Sequence, residues 1–137
     1  MLKLILIMIQ RVQTLFLFLS AISSILIIYY APVFSFDDAK IMLSDNYQYS
    51  RVALLLSAGL SLYTIMFFKN RSRQILLSSF SRLLITISLV ILLFQIDNGF
   101  SVDYGVYLMS IPYLSLFLAT YFIKKDEKLV RSADRIR

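Results

Sequence analysis

The sequence predicts an all-α membrane protein: a bundle of four transmembrane helices, the last continuing into a short amphipathic cytoplasmic extension. Three observations predict it. Hydrophobic residues make up 59% of the 137 and charged residues only 16%, whereas a soluble domain is about half apolar and about a quarter charged. The apolar residues are gathered into four blocks, each near the roughly 17–25 residues that a helix needs to cross a hydrocarbon core. The connections between the blocks alternate in the sign of their charge.

The first block, Val12–Phe36, carries no charge and predicts a span over 12–35. Lys3 and Arg11 precede it, as basic residues precede a signal peptide. A signal core is only about 7–15 residues long and ends in small residues, so an uncleaved signal anchor fits better. Pro32 stands where it helps to end this helix. The loop 37–51 follows, with Asp37, Asp38 and Asp45 against Lys40 and Arg51. Three acids in a short loop read as solvated charge rather than a metal site. The second span is 52–68. It exits into Lys69-Asn-Arg-Ser-Arg73, which has basic residues and no acid. The third span, 75–96, holds a single charge, Arg82. The connection after it contains Asp97 and Asp103. The fourth span, 104–123, contains Pro112, which should kink it or break its first turns.

The tail, 124–137, has Leu129, Ala133 and Ile136 on one helical face, and Glu127 and Arg131 at the favourable i, i+4 spacing. It reads as an amphipathic extension of the fourth helix. Small residues recur at helical spacing: Ser20 and Ser24; Ala53, Ser57 and Ser61; Ser115 and Ala119. In lipid, small residues let helices approach closely, so these stripes are expected inside the bundle rather than at a dimer seam. Without internal repeats or Gly-rich linkers, residues 1–137 form one domain.

Grouping alternate segments puts 12 basic and 3 acidic residues on one side and 2 basic and 5 acidic on the other. Lys and Arg in short loops favour the cytoplasm. Both termini and the 69–73 loop are therefore expected inside, which makes the chain a multi-pass membrane protein. Tyr29, Tyr30, Tyr47, Tyr49, Tyr104 and Tyr107 fall near the outer helix ends, where an interfacial tyrosine belt belongs.

The chain contains no His and no Cys. That removes the usual zinc ligands, a Cys nucleophile and a Ser–His triad. No Asp or Glu lies within a span, which argues against proton- or cation-coupled transport. No nucleophile has a plausible base beside it, so no enzyme and no cofactor is expected. No basic–aromatic constellation points to nucleic acid. Arg82, nine residues after Arg73 and about 13 Å along a helix, is expected to snorkel or to pair with a tail acid; the sharper alternative is a site for an anionic lipid or a partner. Lys124, Lys125, Lys128, Arg131 and Arg135 are candidate contacts for anionic phospholipid headgroups.

Met8-Ile-Gln-Arg-Val-Gln-Thr14 leading into an apolar helix, and Lys125-Asp-Glu-Lys-Leu-Val-Arg-Ser-Ala-Asp-Arg-Ile-Arg137 at the end, resemble an uncharacterised four-span inner-membrane family of Bacteroidota, domain of unknown function 4293. Asn70, Arg71 and Gln74 resemble its central loop. Members of that family begin near Met8, which makes Met1–Ile7 an extension or an early start. The first outer loop is expected to be short, with little room for an external domain. The resemblance implies an integral protein of the bacterial inner membrane and supplies no catalytic residues. It places Gln10, Arg11, Gln13, Arg71, Gln74, Arg82, Asp126 and Glu127 at one cytoplasmic interface. There Asp126 or Glu127 is expected to pair with Arg11, Arg71 or Arg82 and lock the bundle. The expected role is that of a non-enzymatic accessory or scaffold subunit, with a membrane-protein partner or a second copy. The alternative is a four-helix protein that binds or transports a lipid, a quinone or a small solute.

Overall fold

A computed structural model of the chain describes the backbone of residues 2–134 except Asp38, Asn46, Lys69, Asp97 and Asn98, and the side chains of residues 12–132 with the same exceptions. In chain order the elements are α1 (Leu2–Tyr30), β1 (Pro32–Phe36), β2 (Ala39–Met42), α2 (Gln48–Met66), α3 (Arg71–Phe94), β3 (Ser101–Val102), α4 (Tyr104–Leu108) and α5 (Ser110–Asp134). Among the described residues, four stretches are long and apolar enough to cross a membrane: Val12–Tyr30, Gln48–Met66, Arg71–Phe94 and Tyr104–Ser132.

Helix α1 packs on α2, α2 on α3, α3 on α5, and α5 back on α1, closing a four-membered ring. Neighbours run antiparallel. The start of α1, the 67–70 turn and the end of α5 therefore share one end, the basic end. The strands share the other, the sheet end.

The distribution of side chains is inverted relative to a water-soluble bundle. Leu17, Ile28, Leu54, Ile85, Leu92, Leu116 and Ile123 are buried, but beside them lie Ser20, Ser24, Ser50, Ser57, Ser61, Ser78, Ser81, Ser88, Ser115 and Thr120. Leu15, Phe18, Leu26, Leu56, Phe80, Leu83, Phe94, Leu114 and Phe117 are turned outward. Water would penalise that much contiguous exposed apolar surface; close approach of helices in lipid requires small side chains between them.

The seam between α2 and α3 uses those hydroxyls most fully. Ser57 and Ser81 each donate to the other's backbone carbonyl, at 2.9 and 2.8 Å. Ser50 and Ser88 do the same at 2.8 and 2.9 Å. Ser50 and Ser57 are seven residues apart, as are Ser81 and Ser88. A seven-residue repeat keeps one stripe facing its partner along a left-handed seam.

The all-α expectation needs correcting at the sheet end. The first helix stops at Tyr30 rather than near residue 35, because the residue before a proline is pushed out of the α region. From Pro32 the chain is extended and pairs antiparallel with β2, Phe34 opposite Ile41 and Phe36 opposite Ala39. The reversal passes through Asp37, whose φ of 50° suits Asp better than most residues. Strand β3 adds to the other edge, with Phe34 opposite Val102, giving the order β2-β1-β3. Val33 and Phe34 are fully buried and close the end of the core. Helix α4 rests directly on β1: a Cβ on Gly105 would collide with the Pro32 carbonyl.

The other boundaries shift by a few residues. The second helix begins at Gln48, the third at Arg71, and the tail continues α5 without interruption to Asp134. The fourth span breaks at Met109, between α4 and α5. Pro112 has no N–H to donate to the Leu108 carbonyl and its ring crowds that carbonyl, so the helix ends there and restarts.

Candidate functional site

The basic end is built by the first turn of α3 and the last turns of α5. Arg71 Nε donates to Asp126 Oδ2 at 2.8 Å; the carboxylate is 1% exposed and the arginine 24%. Glu127 bonds instead to Arg131, one turn along its own helix, at 2.7 Å. Gln13 and Gln74 are buried in the basic half of the bundle. Gln13 Nε2 and Asp126 Oδ1 are both buried without a hydrogen-bond partner. Lys124, Lys125, Lys128 and Arg131 are exposed around this core. A depression of about 350 Å³ between α3 and α5 is lined by Asn70, Ser72, Arg73 and Arg131, among others. The side chains of Gln10, Arg11 and Arg135, like those of Ala133 and Ile136, lie outside the described residues. Leu129 is exposed.

The seam between α3 and α5 continues inward from this end. Ser78 Oγ and Thr120 Oγ1 share a hydrogen bond of 2.9 Å. About one turn deeper lies Arg82, and the structure does not bring it to a tail acid. Its Nη2 donates to Ser79 Oγ at 3.2 Å, folding the side chain back toward the basic end. Its guanidinium lies over the Phe117 ring, 5.8 Å from the centroid. The buried Nε has no hydrogen-bond partner. Of the arginines expected to pair with Asp126 or Glu127, Arg71 takes Asp126, while Glu127 bonds to Arg131; Arg82, eleven residues beyond Arg71 on α3, reaches neither acid.

Deeper still, where α4 gives way to α5, the seam opens into a pocket of about 490 Å³. Ile85, Val106 and Met109 are buried at its base; Thr86, Tyr107, Ser110 and Tyr113 are exposed at its edge. The junction at Met109 lies within its lining. The backbone of Met109 keeps αR dihedrals, φ −60° and ψ −18°, and its N–H bonds to the Val106 carbonyl at 3.3 Å, so the break is a change of hydrogen-bond partner rather than an unwound segment. Sequence reasoning foresaw the break at Pro112 but not the pocket, which depends on the register of α3 opposite it.

Near the sheet end, Tyr29, Tyr30, Tyr49, Tyr104 and Tyr107 are exposed, whereas Tyr47 packs edge-on against Phe34 at 5.2 Å. Asp37 and Asp45 are exposed; the side chain of Asp38 is outside the described residues. Among the described residues no group of three acids gathers to hold a metal.

The profile of one protein family, Domain of unknown function (DUF4293), matches residues 9–136. The chain belongs to that family. The matched range runs from α1 through α5, so the whole bundle, the sheet and the pocket are the DUF4293 unit. No curated protein and no solved structure matches the chain.

Proposed function

We propose that this DUF4293 protein is a multi-pass protein of the bacterial inner membrane, with both termini in the cytoplasm. It acts without catalysis, as an accessory or scaffold subunit read through its basic end. One observation carries the reading. The described acids at that end are consumed inside the chain, Asp126 by Arg71 and Glu127 by Arg131. Arg73, Lys124, Lys125 and Lys128 have no acidic partner among the described residues. The result is an uncompensated cationic face. It suits anionic headgroups, at about 1 kcal/mol per basic residue near the surface, and the acidic surface of a membrane-protein partner or a second copy.

The test is purification from native membranes in nanodiscs, with mass spectrometry of what co-elutes. A constant companion should accompany the native chain and be lost when Lys124, Lys125 and Lys128 are changed to Glu. A chain that runs alone in both forms would sink the proposal.

A second reading, the binding or transport of a lipid, quinone or small solute, is favoured by the pocket between α3, α4 and α5. It is apolar at its base, edged by hydroxyls, and open on the outward side of the bundle.

A further inference from the structure

We propose that the outer face of the α3–α5 seam is a binding site for an anionic phospholipid, with the headgroup phosphate on Arg82 and one acyl chain in the pocket beside Met109. The inference rests on the second reading above and names its ligand class and its residues.

The argument begins with the charge. Within a hydrocarbon environment a guanidinium is costly unless it is paired, hydrated or turned toward an interface. Arg82 has no carboxylate partner among the described residues; it holds one hydroxyl and the face of an aromatic ring, and its buried Nε is unmatched. An Arg fork presents several N–H donors in the geometry that phosphate oxygens accept. The fold of the side chain toward Ser79 aims the fork at the basic end, from which a headgroup would descend.

The apolar part follows from helical spacing. Thr86 and Leu89 lie four and seven residues beyond Arg82, on the same stripe of α3. Tyr113 and Ser110 lie four and seven residues before Phe117, on the facing stripe of α5. All four line the pocket. It therefore begins about 6 Å, one helical turn, below the Arg82–Phe117 contact. Cation first and apolar slot one turn deeper is the order in which a phospholipid presents its phosphate and its chain. A free anion would leave the slot empty. A partner helix bearing a carboxylate would satisfy Arg82 but has no need of a slot interrupted at Met109.

The test uses the full chain in nanodiscs containing equal phosphatidylglycerol and phosphatidylcholine, extracted into mild detergent, with retained lipid counted by native mass spectrometry. The native chain should retain phosphatidylglycerol in preference. Arg82→Met should lower that preference by about ten- to hundredfold, the range expected for a charge-assisted hydrogen bond, while Arg82→Lys keeps part of it. Thr86→Phe, which fills the slot and leaves the charge, should release the lipid as well; it provides a second route should Arg82→Met fold poorly. Added inorganic phosphate should not displace the lipid.

Equal retention of both lipids by the native chain would overturn the site. So would a preference that survives Arg82→Met and Thr86→Phe but disappears when Lys124, Lys125 and Lys128 become Gln. That result would leave lipid binding standing, at the rim. A chain that retains no lipid, and whose Arg82 cross-links to another protein, would overturn the site together with the reading beneath it.

Discussion

Toward α2, helix α3 presents Ser81 and Ser88, and each of these hydroxyls both donates to a carbonyl across the seam and meets the partner hydroxyl, at 2.8 and 2.6 Å. Toward α5, the same helix presents Arg71, Ser78 and Arg82, and the matching thins with depth. Arg71 has its carboxylate, Ser78 has a single hydroxyl across the seam, and among the described residues Arg82 meets α5 through a ring face. Among the described residues, Ser50, Ser57, Ser81 and Ser88 are all paired across the α2 seam, an arrangement that holds the bundle together. The α5 seam is locked at one end, unfinished in the middle and open beyond. Were this seam to face lipid, where unmatched polar atoms find no water, the proposed ligand would complete it.

The largest effect is expected where the α5 seam is locked. Asp126→Ala leaves the Arg71 guanidinium without its counter-charge. The loss should be about 3 kcal/mol, at the low end for breaking a buried pair because Arg71 keeps some contact with solvent. Unfolding of the reconstituted chain by titration with a denaturing detergent reads this directly. Pairing Asp126→Leu with Arg71→Met should restore most of the loss, since an apolar pair can replace a buried ionic one. A loss well under about 1 kcal/mol for Asp126→Ala would mean the two seams are held by packing alone, without a lock.

The α2 seam should break in smaller steps. Hydrogen bonds between membrane helices average about 0.6 kcal/mol and reach about 1.7. Ser57→Ala and Ser81→Ala should each fall near the upper value, because each removes one reciprocal donor and leaves the partner with a weaker arrangement. Their double-mutant cycle should give a coupling of at least about 0.5 kcal/mol. Ser78→Ala and Thr120→Ala, across the α5 seam, should couple less, since they share one bond where the serines share several. Equal coupling in both seams would erase the distinction drawn between them.

Much of this was legible in the chain, and the rest was hidden for definite reasons. Four charge-poor blocks bounded by Arg, Lys and Asp announce the four helices that are long and apolar enough to cross a membrane, and the acids of the tail had few arginines within reach. The sheet was hidden because Pro32-Val-Phe-Ser-Phe36 continues the apolar run of α1, and strands of two to five residues are too short to display a period of two. The serine pairs were half visible: Ser57 stood out on α2, but Ser81 follows two other serines, Ser78 and Ser79, and Ser88 lies between Ile87 and Leu89, so only the register between the two helices reveals their partners. For Arg82 the sequence offers a charge and a depth; its distance from Asp126 depends on where α5 starts again after Met109, which no local pattern specifies.

The smallest stability effect belongs to the residue with the largest proposed role. Among the described residues, Arg82 contributes one 3.2 Å bond to a hydroxyl on its own helix and a ring contact, and it bridges no two helices by hydrogen bond. Partly exposed cation–π contacts amount to about 0.5–1 kcal/mol, and removing a charge from membrane depth returns a comparable or larger amount. Arg82→Met should therefore leave the unfolding midpoint unchanged or raise it, in the same detergent titration in which Asp126→Ala lowers it. If Arg82→Met instead destabilises the fold as much as Asp126→Ala does, the charge is part of the bundle's internal lock. The middle of the α5 seam would then be as structural as the serine pairs opposite it.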